Sequence, residues 1–238
     1  MPSHSEKPKT AVVLCGGLGE RLRPITEQIP KVMIPIGDRP IVEWQVRWLL
    51  KFGINDIIFA CGHLYEKIEE HFGRSGLGAK FSYSIEKEKV GTSGAVKQAF
   101  SMVSGSSTFV LNGDVLCTLN LSELANFHLT MGKVGTITVT QLRSPYGICE
   151  SFNGILERFV EKPLLPHWMN SGIYVFDRDI VPYLKDKGDL EQDVFPKMAG
   201  LLAVYMARDL WMTVDTAKDL RESETKIKEY KDWLGVTF

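Results

Sequence analysis

What this chain of 238 residues has little of narrows it first. It has no excess charge: 28 Lys and Arg stand against 29 Asp and Glu, a net charge of −1. No basic field is there to draw a nucleic acid or an anionic membrane, so neither is expected as a partner. No apolar run approaches the ~20 residues needed to cross a bilayer. There are four cysteines, Cys15, Cys61, Cys117 and Cys149, far apart and without a C-x-x-C pair. Free, buried, structural thiols in a reducing cytoplasm are expected. The five histidines form neither H-x-H nor H-E-x-x-H, which argues against zinc. Residues 1–9 are polar and lack the apolar core of a signal peptide, so they read as a loose tail. Repeats, low-complexity segments and linkers are missing too, and residues 10–238 read as a single domain. With no hexapeptide repeat at the end, no C-terminal β-helix is expected.

What is present begins with a short apolar run at residues 11–15, rich in β-branched side chains, that reads as a buried strand. It ends in Gly16, Gly17 and Gly19, where backbone N–H groups can close on an anion without a Cβ in the way. Arg21 and Arg23 follow at once, and Lys31 comes after a turn. A strand, a glycine loop and fixed cations suggest a polyphosphate site. The residues after Gly16 do not supply G-x-x-x-x-G-K-[ST]. The dinucleotide fingerprint G-x-G-x-x-G fits Gly17 and Gly19 but meets Leu22 where its third glycine belongs.

Beyond this loop, strands are expected near residues 57–61, 81–85 and 108–111, with helices near 40–51, 65–72 and 94–102. The helix at 40–51 is apolar on more than one side and should be well buried. Strands alternating with helices imply parallel βαβ units and a doubly wound sheet, whose ligands bind at the carboxyl ends of the strands. Gly16 and Asp114 both fall at such ends. The second half reads as strands at 134–142, 147–150, 155–161, 171–176 and 202–207. A short helix at 193–198 and a terminal one at 216–233 complete it. His128 recurs at helical spacing with Leu121, Leu124 and Ala125 and reads as a core-edge residue. The expected fold class is therefore α/β, a doubly wound, mostly parallel, Rossmann-like sheet flanked by helices, with a small antiparallel subsheet.

The complete pattern G-G-x-G-x-R-x-x-P-x-T, then Pro30-Lys31 and Arg39-Pro40, resembles the signature of the sugar-1-phosphate nucleotidyltransferases. The likeness runs from about Thr10 to the terminal helix, with its motifs in order. It implies transfer of a nucleotidyl group from a nucleoside triphosphate to a sugar 1-phosphate, with release of pyrophosphate and Mg²⁺ as cofactor. By that resemblance Arg21 and Lys31 grip the triphosphate, and Asp114 and Asp215 hold the metal. Leu14, Gly16, Gly17, Gly19, Glu86, Gly91 and Thr92 would bind the nucleotide. Gly147, Glu161, Lys162 and Asn170 would bind the sugar phosphate, by way of Phe159-Val-Glu-Lys-Pro163 and its neighbours.

Each of these residues has an ordinary reading as well. Asp114 after Gly113 fits a turn, Asp215 a helix cap, Thr92 or Ser93 a helix entry, and Glu161-Lys162 a solvated strand edge. The chain departs from the common pattern at Val32, where relatives carry proline, and at Asp215-Thr216, where many carry Asp-Ile-Gly-Thr. The form E-x-x-x-x-G-T-x-G-A from Glu86 looks most like guanylyltransferases acting on mannose or heptose 1-phosphate. The segment Trp211 to Thr216 looks more like cytidylyltransferases acting on glucose 1-phosphate. Thymidylyl and uridylyl transfer stay open as well.

Two other kinds of function remain. One is a non-catalytic, regulatory relative that binds nucleotide sugars. The other is a glycosyltransferase using Asp177-Arg178-Asp179, a D-x-D match that reads here as a surface turn. A homo-oligomer is left open.

Overall fold

The computed structural model describes residues 6–235. Strand β1 (Thr10–Cys15) leads through three single-turn segments into helix α1 (Ile41–Lys51). Then follow β2 (Asp56–Cys61), α2 (Tyr65–Phe72), β3 (Ala79–Ile85), α3 (Gly91–Phe100) and β4 (Ser107–Asn112). The second half adds β5 (Val115–Cys117), α4 (Leu121–Met131), β6 (Gly135–Arg143), β7 (Ile148–Phe152) and β8 (Ile155–Val160). After these come β9 (Leu164–Asp177), β10 (Leu202–Ala207), β11 (Trp211–Thr213) and α5 (Ala217–Leu234). Residues 1–5 of the expected tail lie outside the described residues. Pro8 is already buried, so packing begins inside the stretch read as loose.

Seven strands and the stub Ser75–Gly76 form one sheet, in the order β10-β6-β9-β4-β1-β2-β3-stub. Strand β1 pairs in parallel with β2 on one side and β4 on the other, and β3 extends the parallel set. Strand β9 runs against both β4 and β6, and β10 is parallel to β6. The period-2 alternation of strands divides the core. Ala11, Val13, Phe59, Phe109 and Leu111 face α1, α2 and α4, while Val12, Ile58, Ala60, Val110 and Tyr174 face α3. The sheet is thus a two-sided α/β sandwich, as the alternating pattern implies. Helix α1 buries Ile41, Val42, Trp44, Val46, Trp48 and Leu49, which agrees with its apolar character on several sides.

Several expectations are corrected. Strand β9 is 14 residues long and belongs to the main sheet, because its second half pairs with β4. Only β7 and β8 form a free antiparallel hairpin on that side. Helix α3 starts at Gly91, three residues early. The short helix expected at 193–198 is a wide turn at Leu190–Val194 followed by a tight one at Phe195–Lys197. His128 is 1% exposed, hydrogen bonded to Thr136 Oγ1 at 2.9 Å and Asp177 Oδ1 at 3.1 Å, and so belongs to the core. Asp177 is buried with it, so only Arg178 and Asp179 of the D-x-D match lie at the surface. Cys15, Cys61 and Cys117 are buried free thiols, but Cys149 is exposed on the hairpin.

Candidate active site

The strand order reverses at β1, and open α/β sheets place ligands at that point, beyond the carboxyl ends of the strands. Here the Gly113 amide donates to the Leu14 carbonyl at 2.9 Å, latching the turn after β4 to the end of β1. The glycine loop rises beside that latch. Gly19 has φ +61°, and a Cβ on it would stand 2.7 Å from Thr26 Cγ2 and 3.1 Å from Lys31 Cβ. The Thr26 hydroxyl also donates to the Gly19 carbonyl at 2.9 Å. The loop is therefore folded back onto the segment that carries Lys31. Nothing lies within 4 Å of where a Gly17 Cβ would be, so that glycine faces the open cavity.

The cavity has a volume of about 590 Å³. Leu14, Gly16, Gly17, Gly19, Arg21 and Lys31 line it from the loop side. Glu86, Gly91, Thr92, Asp114 and Asp215 line it from the opposite walls. The sequence-predicted phosphate, nucleotide and metal residues thus meet in one place, drawn from positions 14 to 215.

Asp114 and Asp215 are 101 positions apart, and strand pairing brings them together. Strand β11 pairs with β5 so that Thr213 opposes Val115, and the Val214 amide donates to the Asp114 carbonyl at 3.2 Å. Helix α5 is capped by Thr216 and Asp219, which bond each other's backbone amides. Asp215 is thereby relieved of the capping role and turns its carboxylate to Lys31 Nζ at 2.6 Å and Arg21 Nη2 at 2.7 Å. Lys31 Nζ also bonds the Asp114 carboxylate. Burial works to lower the Lys31 pKa, but the Asp114 charge and the hydrogen bonds to both carboxylates outweigh it, and the net shift is upward. Lys31 is held as a fixed cation. The two carboxylates converge on one positive charge, a donor pair of hard oxygens. No cluster of three His, Cys, Asp or Glu able to hold a metal occurs among the described residues.

The sequence reading missed Gln45. Its Nε2 donates to the Asn112 carbonyl at 2.7 Å and the Val115 carbonyl at 2.5 Å, and it is fully buried. It braces both sides of the turn that carries Asp114. The available signal was a glutamine within a helix that is otherwise apolar nearly all round.

Glu86 leaves β3 with its carboxylate facing Gly16, whose Cβ would stand 2.6 Å from Glu86 Oε1. Burial raises the Glu86 pKa, and the Val90 amide only partly offsets this. The first turn of α3 has no side-chain cap of its own. Neither Thr92 nor Ser93 is the N-cap. Gly91 has φ +75° and abuts the distant segment around Gly188, whose carbonyl accepts the Ser93 amide at 2.9 Å. Asp189 Oδ1 accepts the Thr92 amide at 3.3 Å, and Asp189 itself lines the cavity. That residue was not singled out from the sequence.

The four residues expected on the sugar side do not line the cavity. Gly147 lies against Phe159 and Glu161, and Lys162 is a half-exposed side chain with φ +47°. Asn170 Nδ2 donates to the Tyr174 hydroxyl at 2.7 Å and to Glu191 Oε1 at 3.4 Å. A carboxylate, an ammonium and a carboxamide are each of a chemistry that can bind hydroxyls or phosphate.

Residues 10–230 match the family model described as nucleotidyl transferase. The mannose-1-phosphate guanylyltransferase catalytic subunit beta of Xenopus tropicalis is 34% identical over 244 residues, covering 95% of this chain and 68% of that protein. The mannose-1-phosphate guanyltransferase beta-A of Xenopus laevis is 35% identical over 222 residues, covering 88% of this chain and 62% of that protein. The chain thus spans about two thirds of the length of these relatives. Among solved structures, HddC from Yersinia pseudotuberculosis is 25% identical, with a TM-score of 0.76, 92% of this chain and 99% of that chain covered. It has also been solved complexed with GMP-PN.

Proposed function

The chain belongs to the nucleotidyl transferase family, and on that premise we propose that it transfers a guanylyl group from GTP to mannose 1-phosphate, forming GDP-mannose and pyrophosphate. The observation that carries the reading is the meeting of Arg21, Lys31, Asp114 and Asp215 at one wall of the glycine-loop cavity. The guanine and the mannose rest on the relatives that the chain resembles.

The chemistry needs little from protein acids and bases. An oxygen of the sugar phosphate, already anionic, forms a new bond to the α-phosphorus of GTP. The bond from that phosphorus to the bridging oxygen of the β-phosphate breaks, and pyrophosphate leaves with its electrons. Catalysis is then positioning and neutralisation of charge. The backbone of residues 16–19 wraps the triphosphate. Arg21, two-thirds exposed and paired with Asp215, offers its remaining donors to the outer phosphates as a planar clamp, and Lys31 supplies a point charge. Glu86 and the first turn of α3 hold base and ribose.

Asp114 and Asp215 fit Mg²⁺, which prefers one or two carboxylates together with phosphate oxygens and water. Their convergence on the Lys31 ammonium supports a site that accepts positive charge between them. When bound, the ion supplies Lewis-acid neutralisation of the phosphate oxygens. Gly147, Glu161, Lys162 and Asn170 take the sugar phosphate on the β7–β9 side. Three buried free thiols support a cytoplasmic setting. No helix among the described residues is long and apolar enough to cross a membrane.

The test is pyrophosphate release with Mg²⁺, crossing four nucleoside triphosphates against mannose, glucose and heptose 1-phosphates. Release with GTP and mannose 1-phosphate is expected. Release with CTP and glucose 1-phosphate would reassign base and sugar. Nucleotide binding without release from any pair would make the chain a regulatory subunit.

A further inference from the structure

One carboxylate outside the cavity wall touches both halves of the site. Glu191 Oε2 accepts the Thr92 hydroxyl at 3.2 Å, on the first turn of α3. Its Oε1 accepts the Tyr174 hydroxyl at 3.1 Å and the Asn170 amide at 3.4 Å, both from β9. The Thr92 hydroxyl in turn accepts the Leu190 amide at 2.8 Å, so its proton must go to Glu191. An ionised carboxylate only accepts, so it also decides which way the Asn170 amide faces. Nδ2 must point to Glu191 and Tyr174, and Oδ1 accepts the Gly172 amide at 3.1 Å. A second lone pair of that oxygen stays available to a ligand hydroxyl. Tyr174 is fully buried, and burial first, then the Glu191 charge, push its phenol well up, so it remains a neutral donor.

We propose that Glu191 is a positioning residue that couples the two substrate sites, setting the Thr92 hydroxyl on the nucleotide side and the Asn170 amide on the sugar-phosphate side from one carboxylate. This rests on the reading of Asn170 as a sugar-phosphate residue and Thr92 as a nucleotide residue. A nucleotide that orders α3 orders Glu191 through Thr92, and Glu191 then presents Asn170 in the orientation a sugar hydroxyl needs. Linkage makes the effect reciprocal.

The test is the affinity of the full chain for α,β-methylene GTP, measured by calorimetry with and without mannose 1-phosphate. In the wild type the sugar phosphate should tighten nucleotide binding about tenfold. Glu191→Ala should reduce that factor to below about twofold and raise KM for mannose 1-phosphate more than kcat falls. Glu191→Gln keeps an acceptor for Asn170 and Tyr174 but sets an amide N–H against the Thr92 hydroxyl, so it should restore the KM for mannose 1-phosphate without restoring the coupling. Glu191 is exposed, so neither variant should change the melting temperature appreciably. Turnover in the wild type with coupling unchanged in Glu191→Ala would overturn the inference alone. An absence of coupling in an active wild type would overturn it too. No turnover with any substrate pair would overturn the functional reading and this inference with it.

Discussion

The Lys31 ammonium lies 2.6 Å from the Asp215 carboxylate, a contact made across 184 positions of sequence. It joins the glycine-loop segment to the start of the last helix and places Asp215 beside Asp114. Asp215→Asn should lower the rate about 10²-fold, by analogy with the loss of one preorganised charge in an active site. Lys31 is only 11% exposed and would lose one of its two carboxylates, costing about 1–3 kcal/mol of stability. Product formation and a melting curve on the same preparation separate the two effects.

Removal of metal should stop turnover without unfolding the protein. The two carboxylates are balanced by Lys31 and Arg21. Chelation should therefore abolish product formation and leave the melting temperature unchanged. Paramagnetic Mn²⁺, followed by electron spin resonance, should bind the free protein weakly and bind strongly once nucleotide is added.

Gly17 and Gly19 should respond differently to the same change. Gly19→Ala forces a left-handed conformation against Thr26 and should cost at least about 1–2 kcal/mol of stability. Gly17→Ala adds a methyl to open space and should leave the melting temperature near that of the wild type, yet weaken nucleotide binding. Denaturation and nucleotide titration of both variants check this.

Glu86 gives a signed pH dependence. Its folded pKa is raised above the unfolded value of 4.5, chiefly by burial. Its contribution to stability is thus present below pH 4.5 and is lost as pH rises through the folded pKa. Glu86→Gln should melt higher than the wild type at neutral pH, and the gain should vanish below about pH 4.5. A gain that grew toward acid pH would contradict the assignment.

The parts legible in the sequence are those fixed by local chemistry. The run from Ala11 to Cys15, the glycines after it and the βαβ alternation needed no distant partner to be read. Arg21 and Lys31 stand out as cations beside the glycine loop, whereas Asp114 and Asp215, which alone read as a turn and a helix cap, take a metal role only from the resemblance to the sugar-1-phosphate nucleotidyltransferases. What escaped depends on long-range contacts. Helix α3 starts early because the segment around Gly188 closes on Gly91 and Asp189 takes the Thr92 amide, a bond spanning 97 positions. Asp177 looked like a surface acid because nothing near it reveals His128, which binds it across 49 positions. Glu191 and Gln45 belong to no motif, and only the folded chain shows what they hold.

The most direct measurement follows label from GTP labelled at the α-phosphorus, incubated with mannose 1-phosphate, Mg²⁺ and the protein. Direct in-line transfer predicts that the label appears in GDP-mannose, matched one for one by pyrophosphate, with none on the protein, and that Asp114→Asn loses it. Label held covalently on the protein, or no label in any nucleotide sugar, would contradict the account.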